Sequence, residues 1–252
     1  MRLRGRTAIV TGGGSGFGAG IAALFAEEGA DVVVADVDGA AAEGVAGRIA
    51  AAGGSAVAVA ADVTRDADTG RMVEAATGRS GRLDILVNNA GVTHVNQPLT
   101  EVTEADFDRV HAVNVKALFW AARHAVPVMR AQGGGGVILN TASTAALRPR
   151  PGLCWYNGSK GAVVTITKSM AVELAPDGIR VNALCPVAGE TPLLASFMGG
   201  DTPENRARFT ASVPLGRLST PLDVARAALW LASDEASFVT GVALEVDGGR
   251  CV

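Results

Sequence analysis

The chain has 252 residues, a formal net charge of −3, and 48% apolar against 19% charged residues. That balance argues against disorder, a basic nucleic-acid footprint and a polybasic membrane patch. The 4% aromatic content offers no base-stacking platform, and Cys154, Cys185 and Cys251 are scattered with no C-x-x-C, so neither a disulfide framework nor a metal site is expected and a reducing cytoplasm fits.

From the amino terminus, residues 1–6 lead straight into a strand over 7–10, with no apolar signal core, and no later apolar run reaches the ~18 residues of a membrane span. A soluble, unprocessed protein is expected. Further short β-branched runs fall at 32–34, 57–59, 85–87, 137–139, 179–181 and 242–244. Between them lie Ala-rich stretches with helical spacing at 21–28, 40–51, 107–130, 161–174 and 222–231. Glycine or Pro-Asp-Gly turns separate the units. Alternation of strand and helix over the whole length predicts one α/β domain, residues 1–252: a doubly wound parallel sheet (Rossmann fold) of about seven strands covered on both faces. The least regular stretch, 186–221, is expected to be a lid or loop on the substrate side.

Two patterns carry chemistry. The first strand runs into Thr11-Gly12-Gly13-Gly14-Ser15-Gly16-Phe17-Gly18 with a helix beyond. Glycines at such a junction let the backbone approach a pyrophosphate, while the helix amino terminus supplies free N–H groups and partial positive charge. Asp36 ends the second strand, about where an acid accepts hydrogen bonds from the adenosine ribose and repels a 2′-phosphate, which favours NAD over NADP. The competing reading is that Asp36 caps the helix beginning near residue 39. Secondly, the single tyrosine, Tyr156, is followed four residues later by Lys160, one of three lysines. On a helix these share a face. A cation ~4 Å from a phenolate is worth ~4 kcal/mol at an effective dielectric of ~20, or roughly three pKa units, so Lys160 is expected to bring Tyr156 near 7 and make it an acid/base.

With further motifs in order along the chain, the sequence resembles the short-chain dehydrogenase/reductase family. Gly12, Gly16 and Gly18 match its cofactor loop, with Ser15 and Phe17 between them; Asp62-Val63 resembles its adenine-contacting pair, and Asn88-Asn89-Ala90-Gly91 its segment bordering the cofactor. Asn114, Ser143 (thirteen residues before Tyr156), Tyr156 and Lys160 match its catalytic set. Pro186 and Thr191 match its nicotinamide-side segment, but Val187 stands where glycine is common, so this turn must use a backbone conformation open to valine.

The resemblance implies NAD-dependent interconversion of a secondary alcohol and a ketone. Tyr156 would be the acid/base, Lys160 its tuner and a ribose ligand, Ser143 a stabiliser of the substrate oxygen and Asn114 the holder of a relay water. Near the substrate we expect His94, Ser143, Ala145, Ala188 and Gly189. His111, Arg148 and Arg150 are read as surface or subunit-contact residues, and Cys154 and Trp155 as pocket or interface packing. The resemblance also implies a homotetramer. Rival readings are an NADPH-dependent acyl-chain 3-ketoreductase, against which Asp36 speaks, and a non-catalytic nucleotide-sensing protein, which has no need of a tuned phenol.

Overall fold

The computed structural model describes residues 1–252. Strands β1 (Thr7–Thr11), β2 (Asp31–Asp36), β3 (Ser55–Ala60), β4 (Ile85–Asn88), β5 (Gly136–Thr141), β6 (Ile179–Pro186) and β7 (Ala243–Val246) form one sheet in the order 3-2-1-4-5-6-7. Every pairing is parallel. Helices α1 (Gly16–Glu27), α2 (Gly39–Ala51) and α9 (Pro221–Ala232) pack with one face, and α3 (Asp66–Ser80), α5 (Ala117–Ala131) and α6 (Cys154–Leu174) with the other. Strand alternation decides the partition: Ala8 and Val10 join Ile21, Phe25 and Val45, while Ile9 between them joins Met72, Ala125 and Met129. Because both faces are covered, the central strands read as unbroken apolar runs.

Two expectations are corrected and one unpredicted helix is added. The predicted helix over 107–130 is α4 (Glu104–His111), a π turn (Ala112–Lys116) and then α5. The widened turn holds Asn114, whose side chain bonds the backbone of residue 92 instead of pointing to solvent. Helix α3 lacked a clear periodic signal because Thr69 and Gly70 dilute the stripe made by Met72, Val73 and Ala76. The 186–221 stretch is less irregular than expected, since it contains α7 (Leu194–Met198) and α8 (Pro203–Ala211).

That stretch ends in a firm post. The Thr220 hydroxyl accepts from Asp223 N while an Asp223 carboxylate oxygen accepts from Thr220 N at 2.8 Å, a reciprocal cap that opens α9. Arg217 holds that carboxylate well below the usual range. Helix α9 then lies on α1 so closely that a Cβ on Gly20 would stand 2.8 Å from Pro221 Cβ. No helix is long and apolar enough to cross a membrane.

Candidate active site

A cavity of about 670 Å³ opens at the carboxyl ends of β1, β2, β4, β5 and β6. The sheet order reverses direction between β1 and β4, which leaves a crevice there.

The nucleotide end is built from backbone. Gly12 has φ +61°, a left-handed conformation that glycine takes without strain, and a Cβ on Gly18 would stand 2.0 Å from Gly12 O. Ser15 opens α1 without a side-chain cap, so the first-turn N–H groups keep their donor capacity. The segment after β4 is tied to this loop: the Thr11 hydroxyl accepts from Asn89 N at 3.0 Å and Ala90 N at 3.1 Å, while Asn89 Nδ2 donates to Thr11 O at 2.9 Å. Asp36 lines the cavity, its carboxylate accepting from Gly14 N at 2.9 Å and Asp38 N at 3.0 Å. The helix-capping alternative falls, because Asp38, not Asp36, accepts from Ala41 N to cap α2. Asp62 and Val63 lie on the same wall, and Asp62 is held by Thr64 at 2.7 Å. A glycine cradle with free helix N–H donors and a strand-end carboxylate fits a nicotinamide dinucleotide.

At the other end, α6 starts seven residues before the predicted helix, at Cys154, and carries Tyr156 and Lys160 into the cavity wall, both buried. Lys160 Nζ lies 5.9 Å from the Tyr156 ring centroid and donates to Thr141 O at 2.7 Å. The expectation that Lys160 lowers Tyr156 to near 7 is not met by the protein's own groups. Burial pushes the phenol up to about 12, against the smaller opposing pulls of the Ser143 hydroxyl and the Arg150 charge. Burial likewise pulls Lys160 down to about 8. The low dielectric that would strengthen a Lys–Tyr attraction penalises both ions first.

Ser143 lies two residues past the end of β5 and caps the short turn Thr144–Ala146, its hydroxyl accepting from Ala145 N at 3.1 Å. Asn114 is buried behind the wall. It bonds Val92 N and O, each at 2.9 Å, and donates to Ser159 Oγ at 3.0 Å, so it clamps the 92 backbone to α6 beside Tyr156. Val187 is buried with no positive φ, so the glycine departure is absorbed without strain. Gly189 has no spare room, since a Cβ there would meet Phe17 and Ser219 at 2.5 Å. Thr191 lies over Gly16, joining the post-β6 segment to the glycine loop.

Of the predicted residues, Gly12, Ser15, Gly16, Phe17, Asp36, Asp62, Val63, Asn89, Ala90, Gly91, Ser143, Ala145, Tyr156, Lys160, Pro186, Val187, Ala188, Gly189 and Thr191 share this cavity. Gly18 and Asn114 support it from behind. His94 does not line it: the ring is buried, with Nδ1 2.8 Å from Val95 O. Arg150, read as a surface residue, does line it, as do Leu153 and Phe197. Phe197 meets the Tyr156 ring edge to face at 5.1 Å. Its only sequence signal was its place in the 186–221 stretch.

The family described as enoyl-(acyl carrier protein) reductase matches residues 12–250. The chain is 53% identical over 251 residues to 4-formylbenzenesulfonate dehydrogenase of Comamonas testosteroni, with 99% of each chain covered. The crystal structure of 3-ketoacyl-(acyl-carrier-protein) reductase from Brucella melitensis complexed with NADH superposes with a TM-score of 0.93 at 52% identity, covering 99% of this chain and 100% of that one. A short-chain type dehydrogenase/reductase from Mycobacterium marinum gives 0.92 at 37%, covering 98% and 96%. Whole-length likeness at these identities, on a fold whose glycine cradle and Ser–Tyr–Lys wall share one cavity, makes the chain an oxidoreductase of the short-chain dehydrogenase/reductase family.

Proposed function

We propose that the protein uses NAD to interconvert a secondary alcohol and a ketone, with Tyr156 as the acid/base. The observation that carries this reading is the meeting of a buried phenol, a buried lysine and Ser143 on the wall of the cavity whose other end is the glycine cradle. Gly12 and the first-turn N–H groups of Ser15–Gly18 would hold the pyrophosphate, Asp36 the adenosine ribose, Asp62 and Val63 the adenine, and Thr191 and Lys160 the nicotinamide half. The nicotinamide ring, when bound, supplies or accepts the hydride.

The chain's own residues handle the proton. A phenol raised to about 12 keeps its proton at neutral pH and is ready to donate it as a carbonyl is reduced. Oxidation of an alcohol needs the phenolate, so its rate rises with pH. Ser143 would hold the substrate oxygen, and Asn114 keeps α6 and the 92 backbone in register. Preference for NAD is supported by the Asp36 carboxylate and by the NADH in the Brucella neighbour. The name of that neighbour favours a second reading, reduction of an acyl-chain ketone; paired with NADPH, that reading would displace the first if kcat/KM were higher with NADPH than with NADH.

Exposed Phe119 on α5, Val172 on α6 and Phe238 before β7 support assembly into a homotetramer. Three unpaired thiols suit the cytoplasm. The test of the catalytic reading is NADH absorbance across aryl carbinols, cyclic alcohols, sugar alcohols and hydroxy acids. Tyr156→Phe should lower kcat by about 10²- to 10⁴-fold and remove the rise of oxidation with pH, while NAD still binds. Full activity in that variant would sink the mechanism.

A further inference from the structure

Arg150 lines the cavity with its guanidinium carbon 4.1 Å above the ring of Phe209 on α8. No carboxylate reaches it. The charges that act on it are Arg250, which repels it, and the weakly acidic Tyr156 and Cys251, while burial draws its pKa down to about 10. Its backbone carbonyl accepts from Asn157 Nδ2, but its side-chain N–H groups have no acceptor in the protein. Arg109, the other arginine on the cavity wall, is by contrast committed to Asp106 at 3.2 Å and Thr93 O at 3.1 Å. The acids on the wall, Asp36 and Asp62, both belong to the nucleotide end. The uncommitted fixed charge at the substrate end is therefore positive, and it shares that wall with Leu153, Phe197 and Tyr156.

A half-buried guanidinium without an acceptor pays for its desolvation only when an anion arrives, and its planar fork suits two oxygens of one acid group. We propose that Arg150 binds a carboxylate or sulfonate substituent of a compact aromatic carbinol whose hydroxyl meets Tyr156 and Ser143. This rests on the alcohol–carbonyl chemistry proposed above. Phe209 fixes the guanidinium from below, and Phe197 supplies an aromatic wall beside the phenol.

The test compares NAD-linked kcat/KM for an aryl methyl carbinol bearing a para carboxylate, a para sulfonate or a para methyl group. The wild type should favour one or both anionic forms over the methyl form, and their ranking tells a planar from a tetrahedral acid. Arg150→Met should lower the anion-to-methyl ratio by about 10- to 100-fold, and Arg150→Lys should recover part of it. A ratio unchanged in Arg150→Met overturns the proposal. So does a wild type indifferent to the substituent, and that outcome leaves the alcohol chemistry standing. Calorimetric binding of para-toluenesulfonate and para-toluate to the NAD-bound protein reads the same residue without turnover. Loss of affinity in Arg150→Met supports the assignment even if no carbinol is oxidised, and equal affinity rejects it; NAD affinity and circular dichroism confirm that the variant is folded.

Discussion

The two ends of the cavity recognise by different means. The nucleotide end is mostly main chain: glycines, uncapped helix N–H groups and an asparagine laced to β1, with its acids Asp36 and Asp62 already hydrogen-bonded. The substrate end is mostly side chain, with Tyr156, Lys160, Arg150 and Phe197 projecting from α6, the loop before it and the segment after β6. Backbone recognition suits a ligand that never changes, because strands fix it. Side-chain recognition suits one that must be discriminated, because a single substitution resets charge or shape.

If this division holds, lesions at the substrate end cost rate and lesions at the nucleotide end cost affinity. After Tyr156→Phe, the largest effect is expected for Lys160→Met, with kcat lower by about 10²- to 10³-fold and a smaller loss of NAD affinity from its hold on the nicotinamide half. The same variant has a stability signature. Depression of the lysine from 10.5 to about 8 corresponds to about 3 kcal/mol against the folded state while the ion is charged. Between these values the unfolded chain binds more protons, so the wild type gains stability as pH rises. Melting curves should therefore show Lys160→Met equal to or above wild type at neutral pH, with the gap closing toward pH 10; a variant that melts far lower throughout would assign Lys160 a structural role.

Next in size is Gly18→Ala. Its Cβ meets a backbone oxygen at 2.0 Å, so α1 must shift, and NAD binding by calorimetry should weaken by about 10- to 100-fold. An unchanged Kd would show that the cradle yields. The smallest effect is expected for Asp36→Ala, which should move the NAD-to-NADP ratio of kcat/KM toward NADP by about tenfold. An unaltered ratio would transfer cofactor choice to other residues.

The nucleotide end was legible in the sequence because its signals are local: a glycine run behind a strand, an acid at the next strand's end. The strands were legible for the same reason, since both-sided burial leaves continuous β-branched runs. Asn114 was found as a residue, but its packing was not, because its partners Val92 and Ser159 are remote in sequence and the π turn has no period of its own. The Tyr156 charge state was misjudged because pairwise spacing reveals a neighbouring cation and says nothing of burial. Arg150 was discounted for a related reason: only the position of α8 shows that Phe209 covers it.

The chain between β6 and α9 resembles a bridge deck hung from two piers. One pier is a strand in the sheet; the other is a capped helix pressed on α1 through Gly20 and Pro221. Beyond Gly189 and Thr191, which press on the glycine loop, the outer span that carries α7 and α8 is free to be exchanged, lengthened or shortened while both piers stand, with the dinucleotide cradle, rooted in helix α1, undisturbed. Selection can therefore rewrite what this enzyme acts on without renegotiating what it reacts with, and a designer who grafts new spans onto the same supports should find cofactor affinity the property that changes least.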